Sequence, residues 1–197
     1  MAGCRALTEE EISLVTKSFT GRFAKRNVCA FVLGVKSGYR VSELLSIRVG
    51  DVMQHGQFKS HVVVEAKFMK GKRRSRSVVL HQAAKDAIAD YLAEHEQIWG
   101  KPMTPEMYLF KSQQGVNRRL SRSQFAKILH DVFNLHRMTG KLGTHVLRKS
   151  YAVKIYKILG KDLVKTQRAM AHENINSTVK YLQDFTSEDI DQAILST

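Results

Sequence analysis

The last third of the sequence carries side chains that could do phosphoryl chemistry. GTHVLRKSYA places His145 and Arg148 three residues apart, so that they share one side of a helix. RAMAHENINSTVKYL then supplies His172 and, nine residues later, Tyr181. A second arginine, Arg40, stands far upstream in SGYRVSELL. Two arginines, two histidines and a tyrosine are the groups that a metal-free attack on a phosphodiester would need.

The reaction that this set suits is cleavage of a DNA strand. Arg40 and Arg148 could hold the non-bridging phosphate oxygens, where negative charge accumulates in the transition state, with forked hydrogen bonds. Tyr181 could form a covalent phosphotyrosine link. A tyrosine phenol ordinarily ionises at a pKa of about 10, so a base must help, and His145 is the candidate. His172 could hydrogen-bond the phosphate.

The leaving 5′-hydroxyl needs a proton, which a lysine could give if the cationic site lowers its pKa. Because the bond energy is kept in the tyrosyl link, a second DNA hydroxyl could attack that link and rejoin the strand. Taken singly, each residue has an ordinary explanation, since an isolated arginine is usually exposed and an isolated histidine or tyrosine is usually structural. The interpretation therefore depends on the ordered set.

The composition favours a globular protein that meets a polyanion. The chain has 197 residues, 43% of them hydrophobic, a net charge of +14 and a pI of about 9.9. A ribosomal or structural nucleic-acid protein is the alternative on charge alone. Cys4 and Cys29 form no zinc-binding spacing, and the run from Val28 to Val35 is too short to span a bilayer. With no signal-peptide core at the start, we expect a cytoplasmic protein without a metal site.

The elements that must position these groups are mostly helical. Thr8 with Glu11 predicts a capping box, Gly38 a helix C-cap and Ser121 a helix N-cap. The pattern predicts helices over about 9–19, 22–36, 42–49, 82–98, 121–137, 144–159, 162–170 and 177–183, strands over 58–66 and 75–80, and a short buried strand over 108–110. We therefore expect one mainly α domain with a small antiparallel β-sheet (α+β) over residues 1–197, with an amphipathic tail over about 186–197.

Two basic segments are candidates for binding DNA. The first is the predicted hairpin tip KFMKGKRRSR between the two strands, and the second surrounds the predicted helix start at Ser121, where backbone amides and arginines suit a phosphate. A solvated charged turn is the alternative for most of the hairpin residues. The predicted DNA-binding residues are Lys72, Arg73, Arg74, Arg76, Arg118, Arg119 and Arg122.

At this point the sequence resembles the tyrosine recombinases, or phage-type integrases, over nearly all its length. SGYRVSELLSIRVGDV is similar to the family's first-arginine box, THVLRKSYA to its H-x-L-R box, and AMAHENINSTVKYL to its L-G-H box followed by the nucleophile. The resemblance implies that Arg40, His145, Arg148, His172 and Tyr181 are the catalytic residues. It also implies that Glu43 supports the first arginine.

The sequence departs from the family pattern in a few places. Ala171 stands where the family has glycine, and Lys149 follows Arg148 where histidine is frequent. The family places a catalytic lysine at the hairpin tip, where Lys70 fits best and Lys67 second. Most members also carry an N-terminal DNA-binding domain, for which we expect no room here. The chain would then be a catalytic-domain fragment or a naturally short member.

The resemblance implies a site-specific DNA recombinase that works through a 3′-phosphotyrosine without metal or nucleotide cofactor. It implies double-stranded DNA as partner and four protomers on two DNA sites, with the tail packing onto a neighbour and a monomer in solution. A non-cleaving accessory factor on the same fold and a type IB topoisomerase-like nicking-closing enzyme are the alternatives. The setting stays open among phage, transposon, inversion switch and chromosome-dimer resolution.

Overall fold

The chain folds around helix α2, which lies in the middle of the helical layer. A computed structural model describes residues 4–64, 75–182 and 194–195. The helices are α1 (Glu9–Ser18), α2 (Ala24–Ser37), α3 (Val41–Leu44), α4 (Val49–Val52), α5 (Gln82–Trp99), α6 (Arg122–Leu135), α7 (His145–Ile158), α8 (Leu163–Met170) and α9 (175–182). The strands are β1 (Met53–Gln54), β2 (Gln57–Phe58), β3 (His61–Val64) and β4 (Arg76–Val79).

Helix α2 is buried nearly all round because it packs against both α5 and α7, with α1 and α3 alongside. Its apolar residues join the main hydrophobic core, to which Phe31, Leu44, Ile88 and Leu147 contribute fully buried side chains. Burial on several sides explains the continuous apolar run from Val28 to Val35 in α2. The helix can therefore present its C-terminal end rigidly to the structure around Gly38.

A second, smaller core holds the C-terminal helices together. Ala152 and Tyr156 of α7 contact Met170 of α8 and Leu182 of α9, and Tyr181 packs at the edge of this cluster. The predicted short helix around Tyr181 is confirmed, and within the described residues it covers 175–182. The tyrosine is thus attached to the domain through α7 and α8.

The predicted hairpin pairing is confirmed on both sides of the segment 65–74. Strands β3 and β4 pair antiparallel, with Val64 opposite Arg76 and His61 opposite Val79. The sheet structure differs in two respects from the prediction: β1 and β2 form a separate two-stranded antiparallel ribbon, and the predicted strand over 58–66 is interrupted, with Phe58 ending β2 and β3 beginning at His61. The mainly α fold with small antiparallel sheets is confirmed.

The predicted helix over 42–49 is wrong in extent. The chain forms two short helices instead, α3 and α4, separated by residues 45–48. The intervening backbone bonds to the loop at 107–109: Leu109 N–H donates to the Ile47 carbonyl at 2.8 Å, and Val49 N–H donates to the Met107 carbonyl at 2.9 Å. Tertiary hydrogen bonds have replaced local helical ones. The predicted strand over 108–110 is present only as bridge-like pairing of Tyr108 with Arg48.

The predicted helix caps are confirmed. Thr8 and Glu11 form a reciprocal capping box at α1, and Ser121 caps α6 with Gln124 as its partner. Gly38 caps α2 in the left-handed conformation, with φ +60°. No helix in the described part of the chain combines the length and the apolar content that crossing a membrane requires.

Gly38 allows a clean test of the packing around α2. Its φ of +60° disfavours any side chain, and a Cβ at this position would overlap the Tyr151 ring. Gly38→Ala should therefore lower the free energy of unfolding by about 1–2 kcal/mol for the left-handed backbone and by about a further 1–3 kcal/mol for overpacking. Urea-induced unfolding would measure the change.

Gly100→Ala is the matched control, because Gly100 caps α5 with φ +66° but has nothing within 4 Å of an added Cβ. Gly100→Ala should lower the free energy of unfolding only by the cost of the left-handed backbone. Equal losses in the two variants would contradict the packing argument.

Candidate active site

Arg148 is the most buried arginine of the site. It lies one turn into α7, and only 1% of its surface is exposed. Its guanidinium donates to the Gly38 carbonyl at the end of α2, to the Met170 carbonyl at the end of α8 at 2.9 Å, and to His172 Nε2 at 2.8 Å. Its buried Nε–H has no acceptor among the residues that the structure describes.

His172 and Tyr181 lie against this guanidinium. The two rings stack with centroids 5.4 Å apart, and the Arg148 guanidinium carbon is 5.7 Å from the Tyr181 centroid. His172 Nδ1 lies 2.9 Å from Thr178 Oγ1. Because arginine can only donate, His172 Nε2 must accept from it, which assigns the ring proton to Nδ1 and the donor role to Nδ1 toward Thr178.

The backbone turn before His172 is held in an unfavourable conformation. Ala171 ends α8 with φ +50°, in the left-handed region that glycine adopts more easily. Gln167 stabilises this turn, since it accepts from the His172 N–H through its backbone and donates to the His172 carbonyl through its side chain. The alanine at this position therefore keeps the turn that directs His172 toward Arg148.

Arg40 comes from the junction between α2 and α3. It is half-buried, and its guanidinium donates to Glu43 Oε1 at 2.9 Å, while its backbone N–H donates to Glu43 Oε2 at 2.9 Å. Glu43 is completely buried. The carboxylate therefore fixes both the backbone and the head group of Arg40.

Arg76 lies in a different place from the one expected of a DNA-binding residue. It begins β4, only 4% of its surface is exposed, and it donates to the carbonyls of Ser37, Gly38 and Ala169. Its guanidinium also lies 3.7 Å from Glu43 Oε2. The alternating burial of β4 turns this side chain into the protein, which the charge pattern of the hairpin did not reveal.

Two of the three arginines, Arg40 and Arg76, thus contact one carboxylate, and Arg148 lies close enough for their charges to act on it. Burial lowers the pKa of Arg148 to about 10, and the neighbouring charges of Arg76 and Arg40 act in the same direction. Arginine at that pKa is still charged at neutral pH. Glu43 is the one carboxylate that Arg40 and Arg76 contact within the described residues, so the three arginines together keep an excess of positive charge.

His145 is the first residue of α7 and is exposed. The pKa of its imidazole is lowered, first by partial desolvation of the ring and then by the positive charges of Arg122, Arg148 and Arg40. The ring is therefore neutral at pH 7 and able to accept a proton.

The predicted DNA-binding residues divide into three groups. Arg118, Arg119 and Arg122 are exposed, and they line a cleft whose other walls include Ser42 of α3 and Thr144, which precedes His145. Arg76 is interior. The remaining hairpin residues, with the two candidate catalytic lysines, lie outside the described residues: Lys67, Lys70, Lys72, Arg73 and Arg74.

Sequence reasoning missed two contributors to the site. Thr178 lies three residues before Tyr181 and so shares its side of α9, a spacing that could have identified it as a partner of His172. The Gly38 carbonyl was missed because its role depends on two distant arginines. In the described part of the chain no group of three or more His, Cys, Asp and Glu side chains could hold a metal ion.

Solved structures share the fold. The XerH site-specific recombinase, solved bound to its palindromic difH substrate, superposes with a TM-score of 0.73 at 21% identity over 96% of this chain and 52% of that one. The catalytic domain of bacteriophage HP1 integrase matches with a TM-score of 0.57 at 15% identity over 92% of this chain and 88% of that one.

Curated relatives have similar sequences. The chain is 30% identical over 182 residues to the tyrosine recombinase XerD of Halalkalibacterium halodurans, which covers 90% of this chain and 56% of XerD. It is 29% identical over 159 residues to the probable integrase/recombinase YoeC of Bacillus subtilis, covering 80% of this chain and 77% of YoeC. The chain therefore spans little more than half the length of XerD and XerH.

The model of the phage integrase family matches residues 5–188, which include every described member of the site. The fold and the sequence relatives agree with that match. The chain belongs to the phage integrase family.

Proposed function

We propose that this chain is the catalytic part of a site-specific DNA recombinase that cuts and rejoins DNA through a 3′-phosphotyrosine at Tyr181. The observation that carries the proposal is the contact of the Tyr181 ring with both His172 and Arg148. A tyrosine beside a buried cation and a histidine is poised to attack an anion that the cation attracts.

Arg40 and Arg148 hold the non-bridging oxygens of the scissile phosphate. Three of the five N–H groups of Arg148 already find acceptors in the described residues, which leaves its Nε–H and one further N–H for phosphate. The excess positive charge around Glu43 is fixed before DNA arrives. Charge on the pentacoordinate phosphorus can thus be stabilised without reorganising the protein.

The chemical step transfers the phosphoryl group to Tyr181. The phenol gives its proton to neutral His145, the phenolic oxygen bonds to phosphorus, and the bond from phosphorus to the 5′-oxygen breaks. His172 donates a hydrogen bond from Nε2 to the phosphate, which requires Nε2 to leave Arg148 and the ring proton to move from Nδ1 to Nε2, with Nδ1 then accepting from the Thr178 hydroxyl. Lys70, with Lys67 as second choice, gives a proton to the leaving 5′-oxygen. Attack by a 5′-hydroxyl of another strand reverses these steps and rejoins DNA.

Double-stranded DNA lies across the cleft beside His145, where Arg118, Arg119 and Arg122 are exposed. The net charge of +14 supports this proposal. We also assign Lys72, Arg73 and Arg74, which lie outside the described residues, to DNA binding. In the reaction, four protomers act on two DNA sites, and the C-terminal tail, which lies mostly outside the described residues, packs onto a neighbour.

Tyr181→Phe should keep the fold and DNA binding but abolish the covalent adduct, because only the phenolic oxygen is lost. The assay is denaturing electrophoresis after incubation with nicked suicide DNA that carries the flanking repeats of the gene. Tyr108→Phe, which keeps a ring for the Arg48 contact, is the control and should form the adduct normally.

A denaturation-resistant complex with the Tyr181→Phe variant would show that another residue is the nucleophile. The same assay separates the alternatives. An accessory factor gives no adduct with the unaltered chain, whereas a topoisomerase-like enzyme forms the adduct and relaxes supercoiled DNA but exchanges no strands.

Cleavage should depend on pH through His145. The pKa of this imidazole lies below its ordinary value, so the neutral base persists to lower pH. The second-order cleavage rate should therefore fall only below a midpoint that is under about pH 6.5. Arg122→Gln removes one of the charges that lower this pKa and should move the midpoint upward. A midpoint above 7, or one that Arg122→Gln leaves in place, argues against His145 as the base.

DNA binding should be strongly salt-dependent. Replacing both Arg118 and Arg119 with alanine should flatten the slope of log K against log salt by about two and weaken binding to unrelated sequences alike. Replacing Lys17 and Lys25, exposed on α1 and α2, removes the same charge and should leave the slope nearly unchanged. A loss confined to one sequence would instead mean that Arg118 and Arg119 read bases.

A further inference from the structure

Arg76 is an ionised side chain placed where none of the proposed chemical steps uses it. Its donors go to the Gly38 carbonyl at 3.1 Å, the Ser37 carbonyl at 3.0 Å and the Ala169 carbonyl at 3.2 Å. Its guanidinium carbon also lies 4.9 Å from the centroid of the Tyr39 ring. Burying a charge is costly unless such partners compensate it, so this position is unlike a surface contact to phosphate.

The contacts of Arg76 reach both arginines of the proposed phosphate clamp. Toward Arg40 the link is Glu43, whose Oε1 binds Arg40 and whose Oε2 lies 3.7 Å from Arg76. Toward Arg148 the link is the Gly38 carbonyl, which accepts from both Arg76 and Arg148. A third link runs through α8, because the carbonyls of Ala169 and Met170 accept from Arg76 and Arg148 respectively.

We infer that Arg76 is a positioning residue that sets the spacing of Arg40 and Arg148, and that it does not itself touch DNA. The inference rests on the proposed function, since it assigns the two other arginines to one phosphate. Arg76 joins strand β4 to the ends of α2 and α8, and it keeps Glu43 from turning wholly toward Arg40. Its planar guanidinium meets several acceptors at once from fixed directions.

Lysine is a poor replacement for Arg76 because it has no planar guanidinium. An ammonium carries the charge but cannot present donors in a flat fork to three carbonyls and a carboxylate. Arg76→Lys should leave Gly38 and Glu43 partly unsatisfied and let the clamp shift. A misplacement of about 1 Å in a positioned group can slow a reaction about 100-fold.

The experiment compares Arg76→Lys with Arg26→Lys. Arg26 is also buried, with 3% exposed, and donates to the Lys111 carbonyl and to Asn27, but it lies near the opposite end of α2. For each variant one measures the melting temperature, the Kd for DNA, and the single-turnover rate of adduct formation at saturating suicide DNA, at a temperature where each variant is folded. Arg76→Gln, which buries no charge, replaces Arg76→Lys if the latter does not fold.

We expect Arg76→Lys to slow adduct formation at saturating DNA about 100-fold with a Kd within about threefold of the unaltered protein. Arg26→Lys should lower the melting temperature but keep the cleavage rate within about threefold. Combining Arg76→Lys with Glu43→Gln should slow cleavage by less than the product of the two single effects, because both act on the same link. Arg26→Lys with Glu43→Gln should give the full product.

Three results would overturn the inference: an unchanged rate in Arg76→Lys, a weakened Kd with an unchanged saturating rate, or multiplying effects of Arg76→Lys and Glu43→Gln. The second would mean direct contact of Arg76 with DNA. Failure of the proposed function would give a different result from these three, because the unaltered protein would then form no adduct at all.

Discussion

Two buried guanidinium groups at the meeting point of two helix ends are the constraint on which the site depends. Arg76 and Arg148 each donate to carbonyls at the C-terminal ends of α2 and α8. The last carbonyls of a helix lack intrahelical partners and carry the negative end of its dipole. The arginines satisfy those carbonyls, and the carbonyls compensate the buried charge, so that each stabilises the other.

This arrangement explains why the neighbouring features take the forms they do. Gly38 adopts a left-handed conformation that directs its carbonyl toward both arginines, and a Cβ added there would overlap the Tyr151 ring. A residue with a side chain is therefore disfavoured at this position. Glu43 must be buried because it is the carboxylate that ties Arg40 to Arg76. Ala171 holds a conformation disfavoured for alanine because the turn after α8 must bring His172 back to Arg148.

The functional consequence is a positive site that is assembled before any substrate arrives. The charges cannot relax away from one another, since each head group is fixed by backbone carbonyls or by Glu43. An anion that enters gains the full attraction of groups already in place, which is the condition under which electrostatic stabilisation of a transition state is greatest. The small core under Tyr181 and the stacking of His172 extend the same rigidity to the proposed nucleophile.

The sequence by itself determined the local features. Apolar periodicity and capping residues gave most helices to within a few residues, because these signals act over a turn or two, and the spacing from His172 to Tyr181 suggested the chemistry that we propose. Tertiary structure alone decided that the helix over 42–49 divides, since the carbonyl of Ile47 bonds to a loop some sixty residues away. It also decided that Arg76 turns inward while Arg118 stays exposed. The two arginines look alike in sequence. They differ in tertiary environment, because only Arg76 lies beside helix ends whose carbonyls can compensate a buried charge.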